Sequence, residues 1–148
     1  FPLRLTISHE KISRNDGLSC FKLLDYTGPI AAFNKAENEG FDEAIRLNEE
    51  GEVVSGCLAN IFWKYEGKLY TPPLESGCLA GTTREFLMER TGAIEKNASI
   101  EDLATAERIY LTSAGLGVAA ACLTDANSFE PSDELLTLTP HFGVGKAS

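Results

Sequence analysis

GEVVSGCLANIFWKYEGKLYTPPLESGCLAGTTR, residues 51–84, opens as a strand, folds back once and ends at the head of a helix. Asn60-Ile61-Phe62-Trp63-Lys64-Tyr65 and Lys68-Leu69-Tyr70-Thr71 are strand-like, and Glu66-Gly67 between them predicts a hairpin turn. Upstream, Glu49-Glu50-Gly51 predicts a second turn, leading into a strand over 52–55. Downstream, Gly81-Thr82-Thr83-Arg84 heads a helix over 82–90, with Phe86, Leu87 and Arg90 spaced for one buried face. The first turn of a helix has backbone N–H groups without intrahelical partners, and its dipole favours negative charge. Gly81 and the two threonines therefore predict a seat for an anion such as a phosphate.

Outward from this stretch the pattern is strand-rich. Leu3, Leu5 and Ile7 alternate with polar residues and predict a strand over 3–8, followed by a polar loop over 9–20 turning at Asn15-Asp16-Gly17. Tyr26, Ile30, Phe33 and Glu37 follow helical spacing, with Pro29 in the first turn and Gly40 as the stop. A strand over 42–48 precedes the Glu49-Glu50-Gly51 turn, and another is expected over 94–98. Ser99 is placed to cap a short helix over 100–106 that carries acids in its first turn. Apolar strands over 108–113 and 118–124 flank the turn Ala114-Gly115-Leu116-Gly117. No period is visible from Asn127 onward, which predicts a mobile tail over 127–148. Strands with two or three packed helices make an α+β domain.

The 148 residues suit a single domain with a real core, and 24% charged against 43% hydrophobic residues is ordinary for a globular chain. The net charge of −9 argues against nucleic acid or an anionic membrane as the main partner, because no basic surplus is available to neutralise phosphates. Cys20, Cys57, Cys78 and Cys122 form no C-x-x-C pair and lie away from His9 and His141, so no metal site is expected. Reduced thiols of a cytoplasmic protein are the plain reading. The longest apolar run, 115–123, is too short to cross a bilayer, and no signal peptide is visible.

Lys22 is the first candidate for chemistry. It lies between Phe21 and Leu23 in the apolar run 18–24. Apolar surroundings withdraw solvation from an ammonium, lower its pKa and leave a nucleophilic amine able to form a Schiff base. A surface lysine with its stem along an apolar face is the alternative that the local sequence leaves open.

Arg14-Asn15, Lys22-Leu23-Leu24-Asp25-Tyr26, Glu43-Ala44-Ile45, Gly51, Asn60-Ile61-Phe62 and Gly77-Cys78-Leu79-Ala80-Gly81-Thr82-Thr83-Arg84 together resemble the class IV aminotransferase family. These are the fold type IV pyridoxal 5'-phosphate enzymes: branched-chain and D-amino-acid aminotransferases and aminodeoxychorismate lyases. The resemblance implies that residues 1–148 are the C-terminal, larger domain of such an enzyme, preceded in the family by a smaller N-terminal domain, in a homodimer. It also implies an amino acid with a 2-oxo acid, or aminodeoxychorismate, as the small-molecule substrate. By the same resemblance Lys22 bonds the cofactor aldehyde and moves the α-proton, and Tyr26 hydrogen-bonds the phenolic oxygen, against the alternative of a core aromatic. Leu79 packs on the pyridine ring, and Thr82 and Thr83 hold the phosphate. Ser113 and Ala114 present a hydroxyl and an N–H to the phosphate or the substrate carboxylate, the alternative being a solvent-facing turn.

One position departs from the family pattern. Five residues before Asn60 the family has a glutamate that pairs with the pyridine nitrogen, and Ser55 stands here. A carboxylate keeps that nitrogen protonated and the ring a strong electron sink; a hydroxyl only donates a hydrogen bond to an unprotonated nitrogen. Strand alternation turns Glu52 away from Ser55, so replacing the lost carboxylate from there requires a bulge or a register slip. Three readings remain: an enzyme with an altered sink, a weakly active cofactor binder, or a non-catalytic domain that kept the fold.

Overall fold

The computed structural model describes residues 2–12, 27–78 and 80–138. In chain order the elements are β1 (Leu3–Ile12), α1 (Thr27–Asn38), β2 (Glu43–Asn48), β3 (Val53–Gly56), β4 (Asn60–Tyr65), β5 (Lys68–Thr71), α2 (Thr82–Thr91), β6 (Ile94–Glu95), α3 (Ile100–Ala104), β7 (Arg108–Ser113) and β8 (Gly117–Cys122). The eight strands form one sheet in the order β3-β2-β1-β8-β7-β4-β5-β6. The mixed sheet with few helices is the α+β architecture that the strand-rich pattern predicts.

The pairings follow from the alternation. β4, β7 and β8 run antiparallel, with Asn60 opposite Thr112 and Ser113 opposite Gly117. β1 lies parallel to both β2 and β8 and joins the two halves. Glu66 (φ 52°) and Gly67 (φ 78°) turn the β4–β5 hairpin in the left-handed region that two-residue hairpin loops require.

Apolar side chains of one sheet face form the main core: Ile45, Val53, Ile61, Ile109 and Leu111 are at most 1% exposed and pack with Leu103 of α3. On the other face Phe62, Tyr110 and Val118 meet Leu87 of α2. A third cluster sets Ala36 of α1 against Ala44 and Cys57.

Several boundaries differ from the sequence expectation. β1 runs on to Ile12 because, past a bulge, Lys11 and Ile12 still pair with Leu47 and Asn48. β6 is only two residues long: beyond it Lys96 N–H and Ala98 C=O bond to Thr71 and Val53 as isolated links. α3 stops at Ala104, and its Ser99 start is a full capping box with Asp102. The buried face of α2 is Thr83, Arg84 and Leu87, whereas Arg90 is exposed and lies 5.3 Å over the half-buried Phe86 ring. Ile30 is likewise exposed, and the α1 face turned inward is Ala32, Phe33 and Ala36. No helix among the described residues is long and apolar enough to cross a membrane.

Candidate functional site

Three connections converge on one cavity of about 230 Å³. Its wall is Ser55 to Asn60 from the end of β3 and the turn into β4, Ala80 to Thr83 at the head of α2, and Thr112 to Ala114 where β7 turns into β8. Each wall is fixed from behind.

The first wall rests on Glu43. This buried carboxylate accepts the N–H groups of its own neighbour Ala44 at 2.8 Å and of Cys57 and Leu58 at 3.0 Å each. Burial and the neighbouring Glu43 charge push the Cys57 thiol up to about 12, so it is a neutral packing group in this wall.

The second wall is the start of α2. Gly81 is its N-cap, extended at φ −71°, with no side-chain cap on the first-turn N–H groups. A Cβ at Gly81 would stand 2.5 Å from Asn60 Oδ1, so only glycine allows strand and helix start to approach this closely. Arg84 is 1% exposed and turned away from the cavity, bonded to Pro72 C=O at 3.0 Å and to Glu95 at 2.7 Å. It anchors α2 to the β5–β6 edge. Thr83 is 2% exposed and Thr112 0%, and both Oγ1 atoms lack a hydrogen-bond partner among the described residues. Buried hydroxyls are rarely left so, and both residues line the cavity. Two orphan hydroxyls beside an uncapped helix start suit a phosphate.

Of the predicted site residues, the fold brings Ser55, Thr82, Thr83, Ser113 and Ala114 to this one cavity. Ser113 Oγ accepts the Leu116 N–H at 3.0 Å, which fixes the β7–β8 turn, and Thr82 and Ala114 are exposed at the rim. Lys22, Tyr26 and Leu79 lie outside the described residues. Glu52 does not take the place of a carboxylate at Ser55. β3 has a register shift between Val53 and Ser55, yet Glu52 Oε1 is held at 2.9 Å by Asn48 Nδ2 in the β2–β3 turn. Thr112, Asn60 and Glu43 escaped the sequence reading as contributors. The register that sets Asn60 opposite Thr112 and the bonds that join Glu43 to Cys57 and Leu58 exist only in the folded sheet.

The family model for class IV amino-transferases matches residues 2–122. The chain belongs to the class IV aminotransferase family. The aminodeoxychorismate lyase of Bacillus subtilis is 32% identical over 118 residues, 72% of this chain and 39% of that protein. Among solved structures, the branched-chain aminotransferase of Thermoproteus uzoniensis with norvaline superposes with a TM-score of 0.83 at 29% identity, covering 92% of this chain and 48% of that one. The branched-chain aminotransferase of Thermobaculum terrenum in its pyridoxal-phosphate form gives 0.77 at 26% identity, covering 84% and 43%. The chain thus spans well under two thirds of the length of these relatives. Class IV aminotransferases use pyridoxal phosphate, whose phosphate matches the donors left unused at Thr83, Thr112 and the α2 start. Among the described residues no cluster of acids, cysteines and histidines is arranged to hold a metal.

Proposed function

We propose that this chain is the pyridoxal-phosphate-binding domain of an enzyme that works on an amino acid, either transferring its amino group to a 2-oxo acid or eliminating pyruvate from aminodeoxychorismate. The observation that carries the reading is a pair of buried hydroxyls without a partner among the described residues, Thr83 Oγ1 at the uncapped start of α2 and Thr112 Oγ1 near the end of β7, both lining one cavity. They hold the phosphate together with the Thr82 and Thr83 N–H groups and the helix dipole. When bound, the cofactor supplies an aldehyde for amine exchange and a ring that stabilises charge developing at the substrate α-carbon.

This chain's own residues bind, orient and move the proton. Lys22 is the amine that engages the cofactor and carries the α-proton between substrate and product. Tyr26 donates to the cofactor's phenolic oxygen, and Leu79 packs on the ring. Ser55 is placed at the ring-nitrogen end of the cavity, and its hydroxyl, which donates to the Gly56 C=O at 2.7 Å, would have to turn to donate to the ring nitrogen. Ser113 orders the β7–β8 turn so that the Ala114 N–H meets the phosphate or the substrate carboxylate. A smaller N-terminal domain, a homodimeric partner and a cytoplasmic setting complete the reading. The family supports the first two, and the thiols of Cys57 and Cys122, which are in no disulfide, support the third.

Absorbance and mass measurements test it. The full chain titrated with pyridoxal phosphate turns yellow, and borohydride then fixes the cofactor mass on Lys22. A chain that stays colourless while folded overturns the reading in favour of a non-catalytic domain. A serine in place of a carboxylate at position 55 leaves a weaker electron sink, which favours a reaction with a strong drive of its own, such as an aromatising elimination. Pyruvate release from aminodeoxychorismate is therefore expected to exceed amino transfer from leucine or alanine; transfer alone would reverse that order.

A further inference from the structure

Thr83 and Leu87 are four residues apart on α2 and share its buried face. Tyr110 and Thr112 are two apart on β7 and share one face of the sheet. The contact between α2 and β7 therefore has two layers. In the first, Thr83 and Thr112 bring hydroxyls without partners among the described residues to the cavity. In the second, Leu87 and Tyr110 pack together with Phe62 and Val118. Close-packed side chains fix how far apart a helix and a strand lie, so the second layer sets the gap that a phosphate meets in the first.

A segment distant in sequence completes the second layer. Leu135, Leu136 and Leu138, in and just after a 3-10 turn over Glu134–Thr137, pack into the same cluster, as does Met88 of α2. One carboxylate ties this segment down. Asp133 caps the turn, its Oδ1 accepting the Leu135 N–H at 3.0 Å. Its Oδ2 receives Arg108 Nη1 at 2.6 Å and the Tyr110 hydroxyl, and its side chain is 10% exposed. Hydrogen bonds to an ionised acceptor are roughly twice as strong as neutral ones. Asp133 thus joins the closing leucines to Tyr110, two residues before Thr112.

We propose that Asp133 is a positioning residue for the cofactor phosphate, acting through Tyr110 and the closing leucines on the spacing of Thr83 and Thr112. This rests on the cavity being the phosphate end of the cofactor site. The coupling runs both ways, because two equilibria that share one packed layer are linked. A phosphate held between Thr83 and Thr112 steadies α2 against β7 and with it the segment that Asp133 holds.

The full chain is titrated with pyridoxal 5'-phosphate and, separately, with pyridoxal, which brings the same aldehyde and ring without the phosphate. Borohydride fixes either ligand, and the labelled fraction over a concentration series gives both affinities. Asp133→Asn is expected to weaken pyridoxal phosphate about tenfold and to leave pyridoxal unchanged. Tyr110→Phe keeps the ring in the second layer and removes only the hydroxyl. It is expected to show the same selective loss, and it decides the matter alone if Asp133→Asn does not fold. The double variant is expected to lose no more than Asp133→Asn. Conversely, hydrogen exchange over 133–138 is expected to slow more with pyridoxal phosphate than with pyridoxal.

An equal loss for both ligands, or no loss for either in folded variants, overturns the proposal and leaves the cofactor site standing. Additive losses in the double variant overturn the route through Tyr110. A folded wild type that takes up neither ligand sinks the functional reading itself and is seen at the first titration, before any variant is compared.

Discussion

Among the described residues Thr83 and Thr112 each bury a hydroxyl without a partner, an arrangement that costs stability unless a ligand supplies one. Valine at either position keeps the shape and removes the unmet polar group. Thr83→Val and Thr112→Val are therefore expected to leave the thermal midpoint unchanged or raised while weakening pyridoxal phosphate binding about tenfold each, read by titration. A fall in stability without a change in affinity would mean that these hydroxyls serve the fold and not the ligand. Cys57 makes a separate statement at this scale. With its thiol pushed up to about 12 by burial and Glu43, and its side chain enclosed, it is expected to resist alkylation at pH 8 while the half-buried Cys122 reacts, as peptide mass mapping would show.

Elements meet at two close joints. The turn from β3 to β4 is pinned by Glu43, whose removal leaves the buried N–H groups of Ala44 and Cys57 unsatisfied and takes the acceptor from Leu58 N–H. Glu43→Ala is expected to cost about 3 kcal/mol or more in denaturant unfolding, and Glu43→Gln less, since one oxygen acceptor remains. The other joint is Gly81 against Asn60, where a methyl group would lie 2.5 Å from Oδ1. Gly81→Ala is expected to cost about 1–3 kcal/mol and to move the head of α2 off the cavity. Adding Asn60→Ala removes the colliding atom, so recovery of thermal stability in the double variant checks the cause.

Across the whole molecule, residues 123–138 lap back over the sheet. Asn127 is 7% exposed; its Oδ1 accepts the Leu123 and Thr124 N–H groups and its Nδ2 donates to Leu103 and Ala106. Further on, Asp133 receives hydrogen bonds from Arg108 at 2.6 Å and from the Tyr110 hydroxyl, both on β7. Burial alone would push the Asp133 carboxyl up, but the bonds from Tyr110, the Leu135 N–H and Arg108 outweigh it and hold it below its ordinary 3.8. A carboxyl lowered in the folded state adds stability above its unfolded-chain value and loses that contribution as pH falls through the folded one. The chain is therefore expected to lose stability on acidification below about 3.8, and Asp133→Asn to be less stable at neutral pH with a shallower acid slope. Thermal melts across that range measure both.

Local chemistry wrote much of this into the chain. The β4–β5 hairpin, the Ser99 cap, the strand pair β7–β8 and the glycine-threonine head of α2 depend on residues close together in sequence, so alternation, turn type and capping sufficed to place them. The departure at Ser55 was equally visible as a missing carboxylate. Contacts between distant segments were not. Asn60 reaches Thr112 and Gly81 only because β4 and β7 are neighbours in the sheet, and Arg84, at the same helix head, is held inward by its bonds to Pro72 and Glu95. A side chain's partner is decided by pairing across the sheet, and the energy of that pairing comes from contacts that no stretch of the chain contains by itself.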